Sequence, residues 1–115
     1  MHDEFKLYNL EVTVLGDPAT FVCSHKPGKA FRVVGENIIF EPHNTFSLYA
    51  LAALLPLIPA KQRDTHPNDW MSTDHVIACP DPHCGATFQI TRASQTTFHH
   101  ADVTKVPLDK SQDTQ

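Results

Sequence analysis

The residues best suited to chemistry in this chain are its three cysteines and eight histidines. The densest group is the run Cys79-Pro80-Asp81-Pro82-His83-Cys84-Gly85. Two thiols at the ends of a turn, with a glycine after the second, resemble an enlarged zinc knuckle, and thiolates suit zinc or another borderline-soft metal. The two prolines stiffen the turn and so reduce the entropy lost when it closes. Cys23-Ser24-His25 offers two further donors on a second turn. Cys23, His25, Cys79 and Cys84 together would form a set of three cysteines and one histidine, a common structural zinc combination. His83 could replace His25 or stand behind the ligands. Zinc is the expected metal and iron the alternative. The competing reading is an ordinary hairpin, because Pro-Asp-Pro is good turn chemistry and isolated buried cysteines behave as small hydrophobes.

A second group could support catalysis. His43, His66, Asp69 and His75, with Trp70 beside them, offer acid–base chemistry or a metal with an open coordination position. Their local settings fit turns equally well, with His43 next to Pro42 and His66 next to Pro67. His99 and His100 are adjacent, so on a strand they face opposite sides and do not share a site. Trp70 is expected to cap the core, and Phe46 and Tyr49 to pack within it. The chain carries no Ser-His-Asp signature and no dinucleotide fingerprint, and its four glycines leave little for a phosphate-cradling loop.

The elements that must position these groups can be read from periodicity. Leu10 to Leu15 is partly alternating and β-branched, so it predicts a strand ended by Gly16-Asp17-Pro18. Thr20 to Cys23 predicts a short second strand, and Pro27-Gly28 a turn. Ala30 to Val34 and Ile38 to Phe40 predict two more strands around Gly35. Asn44-Thr45 offers a helix cap, and Phe46 to Leu55 is apolar on nearly every side, which predicts a helix buried against a sheet or in a dimer interface. Pro56 and Pro59 break it. Residues 61–74 predict a long polar loop, often a functional feature. His75 to Cys79 and Ala86 to Thr91 predict a hairpin, with one or two further strands between Thr96 and Val106. Strands, then one helix, then strands give an α+β fold: a small single domain over residues 1–108, with an antiparallel or mixed sheet packed on one apolar helix. The polar tail 109–115 is expected to be disordered.

Composition limits the partners. A length of 115 residues is enough for one domain with its own core. The formal net charge is −4 and the basic residues are scattered singly, so neither nucleic acid nor an anionic membrane is an expected partner. Three cysteines cannot all pair with each other, and the polar start Met1-His2-Asp3-Glu4 does not resemble a signal peptide, which together predict a cytoplasmic protein. The apolar helix makes a homo-oligomer an expectation. Any small-molecule ligand is left open.

Several short motifs follow one another along the chain: the strand Glu11 to Leu15, then Cys23 followed by Lys26-Pro27-Gly28-Lys29-Ala30-Phe31. The apolar run Phe46-Ser47-Leu48-Tyr49-Ala50-Leu51 comes next, then Asp69-Trp70-Met71, and Cys79-Pro80-Asp81 before Phe88-Gln89-Ile90. In this order they resemble a family of small bacterial proteins without an established activity, over roughly residues 10 to 92. The resemblance implies a single domain with cysteines at the first turn and at the Cys-Pro-Asp corner, where Cys23 and Cys79 fall. It also implies a cysteine just before the helix. Here Pro42-His43-Asn44-Thr45 stands instead, with His43 as the candidate substitute ligand, and Cys84 is an addition. Three functions compete: a metal-binding accessory or structural protein, a small metal- or histidine-dependent enzyme acting on a polar metabolite, and a metal-free interaction domain.

Overall fold

Alternation builds the centre of the sheet. In β1 (Glu4–Leu15), Leu10, Val12 and Val14 are buried while Glu11 and Thr13 between them are only partly covered, the period-two pattern of a strand with one face on a core. The computed structural model describes residues 2–109. It adds β2 (Gly28–Val34), β3 (Asn37–Ile39), β4 (Val76–Ala78) and β5 (Thr87–His99). The strands form one sheet in the order β3-β2-β1-β5-β4, and every neighbouring pair is antiparallel.

β1 begins well before the predicted Leu10, and β5 runs past the predicted Thr91, because the two pair along almost their whole length from Glu4↔His99 to Leu15↔Thr87. Inward parity changes between Leu7 and Leu10, both buried, where the register shifts between Tyr8 and Leu10. An irregularity of this kind flips which residues face the core. Asn9 sits there and its amide donates to Ser94 Oγ and Thr96 Oγ1, both at 3.0 Å.

Among the described residues four short helices accompany the sheet, where the sequence suggested one. α1 (Leu48–Leu54) is capped by the Ser47 hydroxyl, which accepts from the Ala50 amide, and not by Asn44 or Thr45. It meets the sheet through one stripe, Ala50 and Leu54, at the four-residue spacing of one helix face. Leu48 and Tyr49 are 73% and 76% exposed, so the helix is not buried all round and Tyr49 does not pack in the core. α2 (Ile58–Lys61) carries Pro59 in its first turn, α3 (Trp70–Thr73) is capped by Asp69, and α4 (His100–Val103) follows β5 directly. The α+β class is as predicted. The expected strand at Thr20 to Cys23 is absent. Asp17 caps a 3-10 turn over Pro18–Thr20, accepting from the Ala19 amide, and the chain beyond it is irregular.

The core lies between α1 and one face of the sheet. Phe31 and Phe88 are fully buried and both meet the Phe46 ring, with centroids 5.2 and 5.7 Å away. Lys61 is completely buried, and its ammonium donates to Met71 O at 2.7 Å, Asp74 O at 2.5 Å and His75 Nδ1 at 3.1 Å. All three of its protons are therefore used, the condition under which a charge is tolerated inside. The segment read from sequence as a polar loop is anchored from within by this lysine. Trp70, expected to cap the core, is 57% exposed at the start of α3. Residues 110–115 of the expected disordered tail lie outside the described residues. No helix among the described residues is long and apolar enough to cross a membrane.

Candidate metal centre

The sheet order brings two distant turns to one place. β1 and β5 are neighbours, and their pairing ends at Leu15↔Thr87. The connection leaving β1 carries Cys23 and His25, and the connection entering β5 carries Cys79 and Cys84, so both emerge at the same end of the sheet. Backbone contact closes them together, with the Gly85 amide donating to Thr20 O at 3.0 Å. Gly85 is required at this contact: a Cβ there would lie 1.9 Å from Thr20 Oγ1.

Four donor atoms converge at this point. One atom each from Cys23, His25, Cys79 and Cys84 lies within 4.8 Å of all the others. Cys23 Sγ and Cys79 Sγ are 3.8 Å apart, and His25 Nε2 is 3.4 Å from Cys79 Sγ. Tetrahedral zinc, with Zn–S of ~2.3 Å and Zn–N of ~2.0–2.1 Å, sets sulfurs about 3.8 Å apart and a sulfur and nitrogen about 3.6 Å apart. Cys79 is buried and the other three are partly buried. The His25 ring stands edge-on to Phe88 at 5.0 Å and to Phe21 at 6.2 Å, which fixes the plane from which Nε2 is presented. All three cysteines are free thiols.

The thiols differ in acidity. Cys84 is drawn down to about 7, first by the Cys23 backbone amide and then by those of Ala86 and Val22, all of which favour the thiolate. Loss of solvent, followed by its hydrogen bonds to the neighbouring sulfurs of Cys79 and Cys84, pushes Cys23 up to about 12. Backbone N–H groups thus favour the thiolate at Cys84, the form of cysteine that ligates a metal. Burial holds His25 below its ordinary value, which keeps the ring neutral and its nitrogen lone pair available.

His83, the fifth residue singled out in this region, is exposed and outside the four-atom cluster. Its backbone amide donates to Asp81 Oδ1 at 2.9 Å. Asp81 itself went unnoticed in the sequence except as a turn former. Its other carboxylate oxygen lies 3.9 Å from Cys23 Sγ, beside the cluster.

The second group does not assemble into one site. Asp69 caps α3 by accepting from the Met71 amide, His66 Nδ1 accepts from the Asn68 amide, and His75 Nδ1 accepts from Lys61. Each is used locally. His43 is elsewhere, lining a small cavity together with His25. Among the described residues the cysteine–histidine group is the one cluster of potential ligands. No protein-family model, curated protein or solved structure matches the chain.

Proposed function

We infer that this is a metal-binding protein whose site is structural, with zinc as the metal. The observation that carries the reading is the convergence of three sulfurs and one imidazole nitrogen within 4.8 Å, from two turns far apart in sequence. Soft thiolates with one imidazole match zinc in chemistry, and four protein donors complete a tetrahedral shell with no position left for water or substrate. A closed shell is the arrangement of structural sites, whereas catalytic zinc keeps an open position. Cys23, His25, Cys79 and Cys84 would hold the ion, which would tie the β1–β2 connection to the β4–β5 turn. Pro80 and Pro82 narrow the conformations of that turn before any ion binds.

Elemental analysis of protein purified without a histidine tag or added metal tests this. About one zinc per chain is the expected result, and iron in that ratio would move the metal assignment. No metal, with three titratable thiols in the folded protein, would refute the reading.

A further inference from the structure

His25 also lines a partly open cavity of about 110 Å³, in which Ser24, Lys26 and Thr45 are exposed. Its polar lining is Lys26, His43, His25, Ser24, Thr45 and Ser47, and no carboxylate lines it. This local balance is the reverse of the chain's net charge of −4. No described residue engages the Lys26 ammonium, the His43 ring or the Ser24 and Thr45 hydroxyls. Ser47 accepts from the Ala50 amide, so its own O–H proton is left to donate. The cavity therefore presents hydrogen-bond donors and the Lys26 charge, with no acceptor for them among the described residues.

His25 connects this cavity to the metal reading. Its Nε2 faces Cys79 Sγ at 3.4 Å, so a metal held there by Nε2 would leave Nδ1 as the nitrogen bearing the proton. A metal-bound histidine almost always donates its second ring N–H to a carboxylate, a carbonyl or water, and that partner fixes the ring and raises its basicity. No described residue accepts from His25 Nδ1, and the ring borders the cavity.

We propose that this cavity binds one small oxyanion, a carboxylate or phosphate group, held by Lys26 and His43 and accepting the free N–H of His25. The volume suits such a group: about 10–15 Å³ of this space holds one water, so there is room for a few heavy atoms, well short of the ~300 Å³ of a drug-sized pocket. The anion site stands on its own donors, while its coupling to the metal through His25 rests on the metal reading above. Where both hold, anion and metal strengthen each other's binding by the same factor, about tenfold for a partner of this kind.

The test is calorimetric titration of the protein as purified with inorganic phosphate and, separately, with acetate. Saturable binding of either in the ~mM range is expected, and which of the two binds identifies the group as phosphate or carboxylate. Lys26→Ala and His43→Ala should each weaken it roughly tenfold or more, since each removes a donor to a charged ligand, while Lys29→Ala, outside the cavity, should leave it unchanged. No saturable binding of either anion, or binding unaltered in both cavity variants, would overturn the proposal. Metal content measured on the same samples separates the two ideas. Metal without anion binding sinks the cavity alone, and anion binding without metal supports the cavity while sinking the metal site.

Discussion

Chelating the metal should lower the melting temperature by roughly 10–20 °C without abolishing folding. Cys23 and Cys79 are separated by 56 residues in sequence. Tying two points that far apart removes about 14 cal/mol/K of loop-closure entropy from the unfolded chain, about 4 kcal/mol near room temperature. A metal present at about a thousand times its dissociation constant stabilises the folded state by a similar ~4 kcal/mol. For a chain of this size each kcal/mol moves the midpoint by about 3–5 °C. The domain keeps a buried core of its own, including Leu10, Val12, Phe31, Leu54, Phe88 and Ile90, so the metal-free chain still folds. The assay is thermal melting followed by circular dichroism, with and without a chelator, for the native chain and for Cys79→Ser. Cys79 is the member to change, because it is the most buried and touches both Cys23 and His25. The native chain in chelator and the variant without it should melt together, well below the untreated protein. The reasoning is refuted if chelator leaves the native midpoint in place, or if Cys79→Ser melts with the untreated protein.

Two further outcomes follow from the lysine anchor. Lys61→Met keeps the length of the side chain but leaves the carbonyls of Met71 and Asp74 unpaired inside the protein, which costs on the order of 2–6 kcal/mol and should appear as a lower urea midpoint. The His75 ring accepts from Lys61, so it must be neutral, and burial first and then the Lys61 and Arg92 charges hold its pKa below the ordinary 6.5. Its folded value is depressed, so the unfolded chain takes up the proton first. This stabilisation is complete above about pH 6.5 and declines as pH falls toward the folded value. Amide exchange across residues 66–74 should therefore accelerate between pH about 7.5 and about 5.5 beyond its intrinsic rate, and His75→Gln should flatten that dependence.

The donors of the metal centre were legible as residue types on turns, because cysteine, histidine, proline and glycine mark both chemistry and chain reversal. Their meeting was not, since it depends on β1 and β5 being neighbours, a pairing of segments more than seventy residues apart. Choosing between His25 and His83 needed the ring contacts with Phe88 and Phe21, which no spacing rule supplies. The full length of β5 was hidden by its polar stretch Ser94-Gln95, which falls between the two predicted strand segments but is held in the sheet beside Asn9. Lys61 follows an apolar run and looks like its solvated end, whereas the structure closes the 66–75 segment over it. Tyr49 and Trp70 are large and aromatic, so composition assigned them to the core. A helix as short as α1 covers only one stripe, and α3 carries Trp70 on its outer side.

Cobalt(II) titration of the metal-free protein tests the central claim most directly, because its visible spectrum reports the number, type and geometry of the ligands. The account predicts one cobalt per chain, with the strong visible bands of a tetrahedral ion and thiolate charge-transfer absorption from three sulfurs. An equivalent of zinc should displace the ion, and Cys84→Ser should weaken the charge-transfer band. A pale octahedral spectrum, or one unchanged when Cys23, Cys79 or Cys84 is replaced, would contradict it.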